Sequence, residues 1–171
     1  MAKKDFVAVL GLVILIPTLA QAQVVSSLAR LHEITAEPIK ATADLVSEDL
    51  YRFRPADDVR TLGQILAHIA NFNYAWCSIA AGTDNPSSEN FEETRTTKAA
   101  ITQALEGALA YCQGVYRRMT DEQGAEAVQF LGDPDFARSA VLASNSAHNF
   151  EHYGNLVTYM RINGIMPPSS R

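Results

Sequence analysis

The sequence lacks most of the features that would disclose a function at once. No Lys/Arg run exceeds two residues, and 14 basic side chains face 19 acidic ones for a formal net charge of −5. Nucleic-acid binding normally leaves a basic footprint, so no nucleic-acid partner is expected. Cysteine is scarce: Cys77 and Cys112 are the only two, and they do not form a C-x-x-C, which excludes a thioredoxin-type motif. No H-E-x-x-H occurs, so zincin protease chemistry has no support. No stretch alternates apolar and polar residues convincingly, so strands are not expected.

What is present begins with a short basic start, Lys3-Lys4, and an apolar run from Phe6 to Ile16. Pro17 and the small residues of Leu19-Ala20-Gln21-Ala22 follow. This is the layout of a secretory signal peptide over residues 1–22, cleaved after Ala22. The run is too short to span a bilayer comfortably, so no stable membrane span is expected after cleavage. Loss of Lys3, Lys4 and Asp5 takes the formal charge from −5 to −6. The expectation is an exported protein, periplasmic or secreted, with residues 23–171 as one domain of ordinary globular composition. In an oxidising compartment Cys77 and Cys112 are either a disulfide or two buried thiols, and the sequence leaves both open.

Four long helical patterns follow. The first covers about Val25 to Glu48, with Pro38 expected to kink or break it near Glu37. The second starts at Thr61, where Thr61-Leu62-Gly63-Gln64 has capping-box form, and stops at Gly82. The third spans about Thr97 to Met119 on a stripe of Ile101, Leu105, Leu109, Cys112 and Tyr116. A connector over 120–134 contains a short helical or extended insert at 127–131. The fourth helix runs from about Asp135 to Asn163-Gly164, with Pro167-Pro168 beyond it. The fold class is all-α, a four-helix bundle.

The fourth helix carries His148 and His152 one turn apart, on a stripe with Val141, Asn145, Asn155 and Tyr159. Residues at i and i+4 project side by side, so both imidazoles can reach one ion. In the second helix His68 interrupts an apolar stripe of Ile65, Phe72, Trp76 and Ile79. A buried imidazole needs partners for its ring nitrogens. A hydrogen-bonded core histidine is one answer, and a metal shared with His148 and His152 is the other. His68, His148 and His152 are therefore the candidate metal ligands. Asn145, Asn155, Tyr159, Phe72 and Trp76 are candidates for supporting the ligands or lining a pocket. His32 has no partner spacing and reads as a surface or boundary residue, and Glu151 as a surface carboxylate.

Leu66-Ala67-His68-Ile69-Ala70, then His148-x-x-x-His152-Tyr153-Gly154-Asn155-Leu156, then Arg161-x-Asn163-Gly164 and Pro167-Pro168 resemble the DinB-like (DinB/YfiT) superfamily. Asn155 stands where that family commonly has Gln. The resemblance implies a four-helix bundle holding a divalent metal (zinc, nickel, iron or manganese) on three histidines, here His68, His148 and His152. It also implies thiol-dependent chemistry, since relatives include bacillithiol S-transferases and a mycothiol-dependent maleylpyruvate isomerase. No catalytic residue is assigned.

Three neutral imidazoles leave an ion its full charge and an open position, which suits catalysis. The expected function is a metal-dependent enzyme of thiol S-transferase or hydrolase type, acting on a small thiol or ester. The alternatives are a metal-binding protein without turnover and a dimeric scaffold, a homodimer whose histidines serve packing.

Overall fold

A computed structural model of the chain describes residues 23–171, so the apolar segment and the cleavage site expected after Ala22 lie outside the described residues. The elements in chain order are α1 (Val24–Leu45), α2 (Leu62–Ala81), α3 (Phe91–Thr94), α4 (Lys98–Arg118), α5 (Asp121–Gly124), β1 (Ala127–Phe130), β2 (Asp133–Ala137) and α6 (Arg138–Ile162). Single 3₁₀ turns lie at Asp49–Arg52 and Pro168–Ser170. The protein is thus mostly helical. No helix among the described residues is long and apolar enough to cross a membrane.

The four long helices, α1, α2, α4 and α6, form the bundle. Helix α2 packs on α4 and α6, and α1 packs on the same two, so α1 and α2 occupy opposite corners. Helices α4 and α6 take the other two corners, so both the α1–α2 and the α4–α6 connections cross the bundle diagonally. Helix α2 begins where its cap chemistry dictates: Thr61 Oγ1 accepts from Gln64 N (3.2 Å), and Gln64 Oε1 accepts from Thr61 N (2.9 Å). It ends at Gly82, whose φ of 67° suits a residue without a Cβ. Thr97 caps α4 in the same way through Ala100 N.

Three expectations need correction. The break that Pro38 could have caused near Glu37 does not occur: α1 is one helix from Val24 to Leu45. A proline removes the donor that the carbonyl four residues earlier would use. That residue is Ile34, which is 62% exposed and can leave its carbonyl to water. His32 is not at the surface: it is 1% exposed and stacks on Tyr116 with ring centroids 4.6 Å apart. The buried face of α1 is Val25, His32, Thr35, Ile39, Thr42 and Ala43.

The insert at 127–131 takes the extended of its two expected forms, and the third correction is its partner strand, Asp133–Ala137, where no strand was expected and the fourth helix was placed from about Asp135. Residues 127–137 form an antiparallel hairpin with Phe130 opposite Asp133. Leu131 (φ 49°) and Gly132 (φ 89°) make its two-residue turn, both in the left-handed region required by a type I′ turn. The hairpin packs on the bundle through Phe130, whose ring meets Trp76 edge-on at 5.2 Å.

Cys77 of α2 and Cys112 of α4 are joined as a disulfide, with Cα atoms 5.3 Å apart and both residues fully buried. It ties together two neighbouring helices of the bundle.

Candidate metal centre

His68 comes from α2, and His148 and His152 from successive turns of α6. Their Nε2 atoms converge. His148 Nε2 lies 3.2 Å from that of His68 and 3.0 Å from that of His152. The three ligand atoms all fall within 4.8 Å of one another, and among the described residues this is the group of three metal-ligating side chains so arranged. Three nitrogens bound at about 2.0–2.1 Å to one tetrahedral ion stand about 3.3 Å apart, so the spacing fits a single divalent cation.

The protonation states fit as well. Burial, then the neighbouring His152 and His68, pushes the His148 imidazole down to about 3. Burial and His68 push His152 down in the same direction. Both rings therefore stay neutral at pH 7 and keep a lone pair to offer.

Helices α2 and α6 are held at this level by a buried amide pair. Asn73 Nδ2 donates to Asn149 Oδ1 at 2.8 Å, and both residues are wholly buried. Asn73 lies five positions after His68 and Asn149 directly follows His148, so the pair fixes the register that brings the imidazoles together.

The orientation of His68 comes from a residue that the sequence did not suggest. Glu92 Oε1 lies 2.5 Å from His68 Nδ1, and Glu92 Oε2 accepts from Arg60 Nε at 2.7 Å. Burial alone would raise the Glu92 carboxyl, but the hydrogen bonds from Arg60 and His68 outweigh it and hold the group below its usual value. A carboxylate there accepts a hydrogen bond from Nδ1–H and so leaves the Nε2 lone pair facing the cluster. Glu92 sits on α3, a single turn capped by Asn90. Asn71 anchors that turn to α2: its Oδ1 accepts from Phe91 N (3.0 Å) and its Nδ2 donates to Asn90 Oδ1 (2.8 Å).

The other candidates divide. Phe72 lies 4.6 Å from the His148 ring in a near-parallel stack, and Trp76 lies 5.0 Å from it, so the two wall off the centre on the hairpin side. Asn155 is exposed, with its amide 3.4 Å from His152 Nδ1. Tyr159 donates its hydroxyl to the Arg60 carbonyl at 2.9 Å. Asn145, expected with them, hydrogen-bonds to none of the three histidines. It accepts from the Tyr116 hydroxyl at 3.3 Å in the bundle interior, where that oxygen also meets Leu142 O and Ser146 Oγ. Glu151 is exposed, as expected.

A cleft of about 550 Å³ opens beside the cluster. His152, Asn155 and Tyr159 of α6 form one side, Gln64 and Ile65 of α2 another, and residues 57–60 the lip. Of the three histidines His152 lines this cleft, so a small molecule in it meets the cluster at the His152 edge.

The chain matches the DinB superfamily over residues 27–156. No curated protein matches it in sequence. Among solved structures, a DinB-like protein from Bacillus cereus ATCC 10987 superimposes with a TM-score of 0.73 at 17% identity, covering 84% of this chain and 95% of that one. A DinB-like protein from Bacillus subtilis gives 0.61 at 24% identity, covering 83% and 92%. A mycothiol-dependent maleylpyruvate isomerase gives 0.64 at 17% identity, covering 77% of this chain and 60% of that one.

Proposed function

The chain belongs to the DinB superfamily, and we propose that it is an exported metal-dependent enzyme of the thiol-transferase or hydrolase type, with His68, His148 and His152 as the metal ligands. The observation that carries this reading is the convergence of the three Nε2 atoms, that of His148 lying 3.0 and 3.2 Å from the other two, beside an open cleft. The similarity in fold to a mycothiol-dependent isomerase supports the thiol branch. The buried Cys77–Cys112 disulfide supports export, because such bonds persist in oxidising compartments.

A divalent ion on three imidazoles keeps its full charge and an open position, and supplies Lewis acidity to an incoming thiol or oxygen group. The rest falls to the chain's own residues. Glu92 holds the Nδ1 proton of His68 and so fixes which ring nitrogen faces the centre. Phe72 and Trp76 exclude water from one side. The cleft lined by Arg60, His152 and Tyr159 admits a molecule the size of a small thiol or ester.

Residues 23–171 should be assayed for hydrolysis of small esters and for transfer to small thiols, metal-loaded and after chelation. Turnover that follows metal content and disappears in a His148→Ala/His152→Ala variant supports the enzyme. One equivalent of bound metal with no turnover on any thiol or ester favours a metal-binding protein without catalysis. A dimer that keeps its fold without binding metal favours the scaffold.

A further inference from the structure

Arg60 stands at the lip of the cleft with half of its guanidinium engaged. Its Nε donates to Glu92 Oε2, and its carbonyl accepts from Tyr159, so the residue is fixed at two points. Neither Nη group makes a hydrogen bond or ion pair among the described residues. The side chain is 46% exposed and lines the same cleft as His152.

An arginine whose Nε is already tied to a carboxylate is rigid, and its two remaining nitrogens point as a fork. Such a fork matches the two oxygens of a carboxylate in plane. The opposing charges at the lip are Asp57 and Asp58. Asp57 faces Arg54 at 3.7 Å, whereas Asp58 has no cationic partner among the described residues. With Glu92 already paired to Arg60 and Asp58 unpaired at the lip, the free fork suits a ligand carrying one carboxylate rather than several.

We infer that Arg60 is a specificity-determining residue whose two Nη groups hold the carboxylate of a small monocarboxylate substrate, with the substrate's reacting end at the three-histidine centre. This rests on the metal reading above and adds the substrate class to it. The ligand is anchored at Arg60 by charge-assisted hydrogen bonds and reaches past Tyr159 toward His152.

The test compares 3-mercaptopropionate with 2-mercaptoethanol by calorimetric titration of the zinc-loaded chain, as wild type, Arg60→Lys and Arg60→Gln. Both thiols meet the same ion, so the ratio of their affinities isolates the carboxylate. The wild type should prefer 3-mercaptopropionate by about tenfold, Arg60→Lys should keep part of that preference, and Arg60→Gln should bring the ratio close to one. Equal binding of the two thiols by the wild type overturns the inference and leaves the metal centre standing. A preference that survives in Arg60→Gln, or a zinc-loaded chain that binds neither thiol, also overturns it. Zinc content is measured separately on each sample, and a wild type that takes up no zinc overturns the metal reading itself and this inference with it.

Discussion

Glu92 and His68 meet across 24 positions of chain, with a carboxylate oxygen 2.5 Å from the ring Nδ1. That contact decides which nitrogen of His68 is free. Carboxylates in this position tune metal affinity about 10- to 100-fold. Glu92→Gln keeps the shape and loses the charge, so zinc affinity should fall about tenfold, and Glu92→Ala should lose more. Competition with a chromophoric chelator measures both. Unchanged affinity in Glu92→Ala would show that the contact does not serve metal binding.

His32 sets a second expectation, independent of the metal. Burial lowers its imidazole from 6.5 to about 4, and its Nδ1 has no partner. In the folded chain the ring stays neutral, while the unfolded chain takes up a proton below about pH 6.5. Stability therefore falls as pH drops from 6.5 toward 4, and this contribution stops growing below that. The shift corresponds to roughly 3 kcal/mol. Denaturant titrations of the metal-free chain at pH 7, 5.5 and 4.5 should show a shallower loss for His32→Phe, whose ring can keep the stack on Tyr116. Parallel profiles for the two would contradict this.

The disulfide closes a loop with a sequence separation of 35. Chain-entropy arguments give such a closure about 3–4 kcal/mol, by restricting the unfolded state. Replacing both cysteines, as Cys77→Ala/Cys112→Val, should lower the unfolding free energy by about that amount. A melt with and without reductant gives the same comparison on the native sequence.

Leu131 is 82% exposed in the hairpin turn at a positive φ. Asn occupies the left-handed region at less cost, and Asn-Gly is the favoured pair for this turn. Leu131→Asn should raise stability by about 0.5–1 kcal/mol, read from the denaturation midpoint.

The parts legible in the sequence are those with short-range causes. Thr61 with Gln64, Thr97 and Gly82 carry their cap chemistry within four residues, so α2 and α4 begin and end where expected. The i,i+4 spacing of His148 and His152 and the apolar stripe around His68 place all three imidazoles inward. Glu92 was invisible because nothing near it in sequence tells a loop carboxylate from one held against His68. Its position depends on Asn71 reaching across to Asn90 and Phe91. The Asn73–Asn149 pair, 76 positions apart, was hidden for the same reason. His32 was misplaced because it has no partner at helical spacing, and what buries it, the ring of Tyr116 on α4, is far away in sequence. The extended form at 127–131 was open in the sequence, but its pairing with 133–137 was not legible, because a leucine fills a turn position that Asn or Asp would have announced.

The three-histidine reading requires one divalent ion where the Nε2 atoms converge. Metal content is therefore the first measurement, by mass spectrometry on residues 23–171 purified without a His tag, beside His148→Ala/His152→Ala. About one equivalent of divalent metal is expected in the wild type and none in the variant. No metal in the wild type, even after reconstitution at neutral pH, would contradict it and leave a helical bundle whose three histidines serve packing alone.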